Sequence, residues 1–367
     1  MKFKFDENSS RIYDFILFPR AYFIKDLMEK EDNGVELELM KEEYLIFANE
    51  IKHDLEPYKN EILKYYSKDL YSDFEFVDFI TKAYPVEGYK DEQEYLKTLS
   101  DIPEEEFNKK IIHTILTYNN DEDEENSKND DDNQIYDTSD SIELINDLNI
   151  ESNYKWNLLM MIQNPKKYFN EYREFLNQLT ILFNKVYNKH KDNVKKVGNY
   201  LVDKLKDNPN ESFKELTYNS IDYDFTEEEP CIIFVSAIFP YTLRLIQAKD
   251  KAKFIWGMYM EESFRTMNKF YEDRLVQRVK IFKALGDKTR YETIKLIASG
   301  ISSIKEIAKE LDVSSATISY HINEFLTSGI VSLNKKNRKS GYKIDYERLK
   351  EVIEALKEDL VFPKSEE

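Results

Sequence analysis

Apolar positions along most of the chain recur every three or four residues, which is the spacing of one face of an α-helix. The longest such stripe runs from Pro165 to Leu205 without a second proline, and it predicts a helical spine with a break near Asp192. This spine could form the centre of an N-terminal bundle or part of a dimer seam. Residues 231–238 (CIIFVSAI) are instead apolar at every position except Ser236, which predicts a buried strand.

The pattern divides the chain into an N-terminal domain over residues 1–252, a connecting helix over 253–273 and a C-terminal domain over 274–367. Alternation in residues 1–5 predicts a short strand, and the apolar positions of residues 254–282 predict one long helix. Glycine is scarce, with eight in 367 residues, which also favours helix. The predicted fold class is mostly α, with at most a small β element in the N-terminal domain.

Two short helices joined by a tight turn are predicted between Ser303 and Gly329. Ser303 occupies a capping position, and Glu306 three residues later has the spacing of a capping box. Residues 312–314 (DVS) supply the turn, and Ser314 can cap the second helix. Gly329 stands where a C-terminal cap glycine belongs.

The outer face of the second helix, residues 314–328, carries short hydrogen-bonding side chains. Side chains of this kind can reach base edges in the major groove of DNA. The candidates for base contact are Ser315, Ser319, Tyr320 and Asn323. His321 is interpreted as a packing residue rather than a ligand.

A β-hairpin is predicted after the two helices, with a polar, basic turn over residues 334–341 (NKKNRKSG). Helix, helix and hairpin in this order are typical of a winged helix-turn-helix domain. We expect the helix start and the wing, residues 334–342, to contact phosphates. The candidate residues are Ser314, Thr317, Lys335, Lys336, Arg338, Lys339 and Tyr342.

From Ile281 to about Leu360 the sequence resembles the winged-helix domain of ArsR-type bacterial transcriptional regulators. The resemblance rests above all on D-x-T-R at residues 287–290 and S-x-T-I-S-x-H-I at residues 315–322. The rest of the chain resembles, more weakly, the long N-terminal domains of some of these regulators. The resemblance implies a DNA-binding repressor whose partner is double-stranded operator DNA.

The resemblance also implies a homodimer and therefore a two-fold operator. In the family, the helix before the D-x-T-R motif and the helix after the wing build the dimer, and here these span residues 274–285 and 346–360. The expected interface residues are Leu275, Val279, Phe282, Leu349, Val352, Ile353 and Leu356.

The charge distribution supports a DNA partner. Residues 275–350 carry fifteen Lys and Arg against eight Asp and Glu, whereas the whole chain has a net charge of −18 and the remainder −25. A basic module on an acidic body is the pattern of a DNA-binding protein whose body is repelled from DNA. Residues 119–138 include a run rich in Asp, Glu and Asn, and are predicted to form a flexible acidic loop.

Effector and cofactor signals are weak. The segment matching the metal-sensing helix of the family lacks a C-x-C, and the last helix contains no His, so we expect no metal or other cofactor. A pocket for an unknown apolar small molecule could lie in the aromatic-rich N-terminal domain. With one cysteine, Cys231, no signal peptide and no run of membrane-span length, we expect a cytoplasmic protein.

Two other functions remain open at this point. Winged helices also serve as protein-interaction modules and as regulatory appendages of enzymes. The chain contains no Gly-rich phosphate loop, no G-x-S-x-G and no His-rich cluster. We therefore expect that the protein is not an enzyme.

Overall fold

The structure is a computed structural model that describes residues 3–25, 40–67, 75–117, 138–147, 150–223, 225, 230–247, 252–272, 274–301, 303–336 and 339–362. The predicted acidic loop lies outside these residues, apart from Thr138, which begins a helix. Arg338, which the sequence places in the predicted turn of the wing, also lies outside them.

The described elements of the N-terminal domain, in chain order, are β1 (Phe3–Phe5), α1 (Glu7–Leu17), α2 (Glu42–Leu55), α3 (Lys59–Tyr66), α4 (Phe76–Ala83), α5 (Glu92–Asp101), α6 (Glu104–Thr117), α7 (Thr138–Asp147), α8 (Ser152–Ile162), α9 (Pro165–Tyr187), α10 (Lys191–Leu205), α11 (Pro209–Leu216), β2 (Ile221–Tyr223), β3 (Cys231–Ser236), β4 (Leu243–Gln247) and β5 (Ala252–Gly257). Short 3-10 turns cover Phe18–Phe23 and Glu56–Tyr58.

The connecting helix and the C-terminal domain contain α12 (Met260–Glu272), α13 (Arg274–Leu285), α14 (Lys288–Ala298), α15 (Ile304–Leu311), α16 (Ser315–Ser328), β6 (Val331–Lys336), β7 (Lys339–Ile344) and α17 (Tyr346–Asp359). The mostly helical class is confirmed. Among the described residues, no helix is both long and apolar enough to cross a membrane.

The β element of the N-terminal domain is a sheet of four short strands in the order β1-β3-β5-β4. β1, β3 and β5 run parallel, and β4 is antiparallel to β5. The predicted strands at residues 1–5 and 231–238 are confirmed as β1 and β3. Because the three parallel strands point the same way, their carboxyl ends meet at one edge of the sheet.

The long helix predicted for residues 254–282 is wrong at its start. Residues 252–257 form β5, and the connecting helix begins only at Met260. The run Phe254-Ile255-Trp256 is too short for periodicity to separate strand from helix, and its β-branched and aromatic side chains favour a strand. In the sheet, all three side chains are buried.

The predicted spine is confirmed as two helices, α9 and α10, with a break at residues 188–190. Apolar side chains of α9 at helical spacing point into the core of the N-terminal domain, which favours the core interpretation over a dimer seam. Tyr172 of α9 packs edge-on against Phe76, with ring centres 5.3 Å apart. Its hydroxyl lies 2.8 Å from that of Tyr66, and both are buried.

The C-terminal domain has its own core, built from α13 to α17 and the hairpin. A strand of the N-terminal domain is nevertheless joined to it. β2 pairs in parallel with β6, with Ile221 opposite Leu333 and Tyr223 opposite Lys335, so the sheet has the order β2-β6-β7. Tyr223 is buried in the N-terminal core, where its ring centre lies 4.5 Å from that of Phe225. The wing is therefore attached to the body by backbone pairing.

A buried carboxylate braces the sheet at the carboxyl end of β3. Asp14 of α1 is fully buried and accepts hydrogen bonds from the Ser236 hydroxyl at 2.5 Å and from the backbone N–H of Ala237 at 2.7 Å. Burial raises the pKa of Asp14 to about 7, against the opposing effect of these hydrogen bonds. A raised pKa means that the folded state retains the proton to a higher pH than the unfolded chain does.

We expect the stability of the N-terminal domain to fall as pH rises through the folded-state pKa of Asp14. The contribution is fully present below the unfolded-state pKa of about 4 and is lost toward pH 7. Between about pH 5 and pH 8, the free energy of unfolding of the wild type should fall by roughly 2–3 kcal/mol more than that of Asp14→Asn. Denaturant titrations across this range measure it. Asp203→Asn, at an exposed position of α10, should show no such trend.

Candidate nucleic-acid-binding surface

The turn between α15 and α16 is set by local backbone chemistry. Asp312 ends α15 in the left-handed region with φ of 54°, a conformation that Asp tolerates better than most residues. Its backbone N–H donates to the carbonyls of Ala308 and Lys309. Ser314 then caps α16, because its Oγ accepts the Thr317 N–H at 3.0 Å. Asp312 and Ser314 therefore set the course of the three-residue turn, residues 312–314, between the two helices.

The predicted cap at Ser303 is only partly correct. Ser303 is the N-cap residue of α15, as predicted. Its side chain forms no capping hydrogen bond, so the predicted capping box is absent. Ser303 is exposed, so water can satisfy the helix terminus instead. The C-terminal cap at Gly329 is confirmed, with φ of 73°.

The contrast between the two serine caps can be measured. Ser314→Ala should lower the free energy of unfolding of the C-terminal domain by about 1 kcal/mol, because it removes the acceptor for the Thr317 N–H. Ser303→Ala removes no such bond and should change it by less than about 0.5 kcal/mol. Chemical denaturation monitored by α-helical circular dichroism compares them. Equal losses for both variants would contradict the cap assignment.

The D-x-T-R motif holds two helices at their junction. The Asp287 carboxylate caps α14 by accepting the Arg290 N–H at 2.9 Å. The Arg290 guanidinium in turn donates to the carbonyl oxygens of Ala284 at 3.0 Å and Lys283 at 3.1 Å, at the end of α13. The hydrogen bond from the Arg290 backbone and the nearby guanidinium charge lower the pKa of Asp287. The motif therefore fixes the angle at which α13 leads into the domain.

α16 has a buried face and a face directed away from the core. Ile318, Ile322 and Phe325 are buried against α13 and α15. His321 also lies inside, 7% exposed, and its two ring nitrogens have no hydrogen-bond partner among the described residues. Burial lowers the pKa of His321. His321 is therefore a packing residue of the C-terminal core, as the sequence interpretation expected.

The four predicted base-contact residues lie on the side of α16 that the core leaves uncovered. Ser319 is exposed, and the other three are half-buried: Ser315, Tyr320 and Asn323. Ser314 is exposed at the helix start, and its hydroxyl lies 2.8 Å from that of half-buried Thr317. The helix therefore presents a row of hydroxyl and amide groups beside an N-terminal end that Ser314 caps, and the positive end of a helix dipole favours phosphate.

The strands of the wing are longer than the sequence indicated. β6 and β7 pair from Val331 opposite Ile344 to Lys336 opposite Lys339, so most of the predicted turn over residues 334–341 is strand. Lys336 and Lys339 therefore form the last described pair of the hairpin, and Lys335 stands one position earlier. Tyr342 is half-buried against the domain core, and burial raises the pKa of its phenol. Of the predicted phosphate contacts in the wing, the lysines rather than Tyr342 occupy the end of the hairpin.

Five of the seven predicted interface residues fall into two groups. Leu349 and Val352 of α17 pack into the domain core. Val279 and Phe282 of α13 and Ile353 of α17 are exposed, by 59%, 38% and 50%. Leu356 is half-buried, and the side chain of Leu275 is not described. An ion pair between Arg278 and Asp359 links α13 to α17, so the exposed apolar residues belong to two adjoining helices, here called the α13–α17 face.

Two helices joined by a tight turn, set on two packing helices and followed by a β-hairpin, define a winged helix-turn-helix domain. Residues 289–341 match the family model of a helix-turn-helix domain. The chain is 36% identical over 87 residues to an uncharacterized HTH-type transcriptional regulator of Methanocaldococcus jannaschii, an alignment that covers 98% of that protein and 23% of this chain. No solved structure matches the chain. The chain therefore belongs, through its C-terminal domain, to the helix-turn-helix family that includes this relative.

Proposed function

We propose that the protein is a transcriptional regulator of ArsR type that binds double-stranded operator DNA and represses transcription. The observation that carries the proposal is the uncovered face of α16. This face places Ser315, Ser319 and Asn323 on a helix that Ser314 caps, beside a hairpin whose last described strand positions are lysines. In this assignment, α16 lies in the major groove and the hairpin contacts the backbone. The proposal includes no catalytic step.

The full chain is first used to select duplexes from a random pool of DNA sequences. Its affinity for the labelled, selected duplexes is then measured by fluorescence polarisation. We expect enrichment of a two-fold sequence and a fall in affinity of roughly one logarithmic unit per phosphate contact for each tenfold increase in salt. Binding that remains insensitive to sequence would leave only a nonspecific DNA-binding protein. A lack of DNA binding even at low ionic strength would contradict the proposal.

We further propose that the protein acts as a homodimer assembled through the α13–α17 face. Exposed apolar residues on adjoining helices mark interaction surfaces, and this face lies on the C-terminal domain, where a second copy would place a second α16. A two-fold dimer would then read two half-sites one helical turn apart.

Ile353→Asp should dissociate the proposed dimer. The substitution places a carboxylate on each side of a two-fold interface, which should raise the dimer dissociation constant by roughly 100-fold or more. Sedimentation equilibrium of the full chain measures it. The matched control is Ile181→Asp on α9, where the isoleucine is 85% exposed. A wild-type protein that is monomeric at all concentrations, or equal effects of both variants, would contradict the assignment.

A further inference from the structure

The N-terminal domain contains a cavity of about 230 Å³ at the carboxyl edge of its parallel strands. Ala237, which follows β3, and Met258 and Tyr259, which follow β5, line one side. Residues of α2 line the opposite side, and residues at the junction between α9 and α10 line a third side. In open sheets with parallel strands, the carboxyl edge is where ligands bind. The cavity lies at that edge without being part of the DNA-binding surface.

The inner wall of the cavity is apolar. α2 contributes Tyr44, Phe47 and Ile51, which lie on one face of the helix at spacings of three and four residues. Met258, which is buried, and Ala237 lie on the sheet side. A ligand that fills this space must therefore have an apolar body, because these side chains offer almost no hydrogen bonds.

The rim of the cavity carries more negative than positive charge. α2 supplies three carboxylates, Glu43, Glu50 and Asp54, whereas the α9–α10 junction supplies the ammonium groups of Lys185 and Lys189. Lys185 is engaged with Asp54 at 3.7 Å. Within the described part of the chain, Glu43 and Glu50 form no ion pair.

His190 also lines the cavity. Burial and the neighbouring Lys189 lower its pKa below the ordinary value, against the opposing effect of Glu43. The carboxylates of α2 are therefore only partly balanced, and the remaining field favours a cation.

An aromatic side chain of the cavity already accepts a cation. The Nζ of Lys41 lies 3.9 Å from the ring centre of Tyr259, within the range of a cation–π contact. Tyr241 also packs against Tyr259, with ring centres 5.9 Å apart. Aromatic walls together with unpaired carboxylates are a combination that binds organic cations.

We propose that this cavity binds a small organic cation with an apolar body, such as a hydrophobic amine or quaternary ammonium compound, and that this ligand is the effector of the protein. The regulatory half of this proposal rests on the DNA-binding function proposed above. The binding half stands on the cavity alone.

The contacts around the cavity give the ligand a route to the DNA-binding domain. Tyr259 directly precedes α12, and Lys41 at the start of α2 forms an ion pair with Glu262 in the first turn of α12 at 2.7 Å. α12 contacts α13, and α13 belongs to the core that supports α16. A ligand between α2 and Tyr259 therefore acts on the helix that leads into the winged domain. By linkage, DNA must change the affinity for the ligand by the same factor as the ligand changes the affinity for DNA.

The binding test uses the full chain without DNA and titrates benzyltrimethylammonium by calorimetry, with 3-phenylpropionate as the anion of similar size. We expect saturable binding of the cation and at least tenfold weaker binding of the anion. Glu43→Gln combined with Glu50→Gln should weaken cation binding about tenfold. Glu61→Gln, at an exposed position of α3, is the matched control and should leave it unchanged.

Three outcomes would overturn the binding half: no saturable cation binding up to about 10 mM, equal binding of cation and anion, or equal behaviour of the rim variant and the control. The regulatory half is tested separately by measuring DNA affinity with and without the saturating cation. Cation binding with unchanged DNA affinity overturns the effector role but keeps the site. Cation binding by a protein that binds no DNA overturns the function proposed above and leaves the site intact.

Discussion

Ser319→Asp should reduce the affinity of the full chain for its selected operator by roughly 100-fold or more. Ser319 is the exposed member of the predicted base-contact row on α16. A carboxylate at this position would lie among phosphates and base edges, where like charges in close contact cost several kcal/mol. Fluorescence polarisation with the selected duplex, at two salt concentrations, measures the loss.

The matched control adds the same charge elsewhere. Ser152→Asp, at the exposed start of α8 in the N-terminal domain, should reduce affinity by less than about threefold because long-range repulsion is screened by salt. Circular dichroism must show that both variants keep their helix content. If Ser319→Asp binds as tightly as Ser152→Asp, then α16 is not the helix that lies in the groove.

Phe325→Ala should destabilise the winged domain by about 3–5 kcal/mol while leaving the body folded. Phe325 is fully buried in the C-terminal core, and deletion of its ring leaves a cavity among Ile318, Ile322 and Ile330. This loss is a large part of the 5–15 kcal/mol that stabilises a typical domain. Hydrogen exchange measured peptide by peptide should show lost protection in α14 to α16 and retained protection in α9 and α10.

A second variant, Phe183→Ala, applies the same test to the core of the N-terminal domain. Phe183 is fully buried in the N-terminal core, with its ring centre 5.1 Å from that of Phe15 and 5.1 Å from that of Tyr187. Phe183→Ala should lower protection in the body and spare α14 to α16. If either variant lowers protection throughout the chain, the two cores form one cooperative unit rather than two.

Much of the C-terminal domain could be predicted from local signals. The caps at Ser314 and Gly329 depend on residues a few positions apart, and both are present in the structure. The capping box predicted at Ser303 is absent, although Ser303 does occupy the N-cap position of α15. The role of Arg290 at the end of α13 was not visible in the sequence, because it depends on how two helices meet.

The N-terminal domain was less predictable because its strands are short and pair over long distances. β1 pairs with β3 more than two hundred positions further along the chain. β5 resembled a helix start, and β2 is only three residues long. From the sequence, a pocket in the aromatic-rich N-terminal domain was one possibility, and its position could not be predicted. Its position follows from the meeting of α2, the α9–α10 junction and the ends of β3 and β5, which no local pattern encodes.

The pairing of β2 with β6 has a consequence for experiments on fragments. A fragment that begins at Arg274 would retain the complete winged core but would lose β2, and β6 would become the outer strand of the hairpin. Its unpaired N–H and C=O groups would then be open to pairing with another molecule. Association of such a fragment through its strands would be an artefact of truncation. In the intact chain, the N-terminal domain therefore protects the wing against self-association.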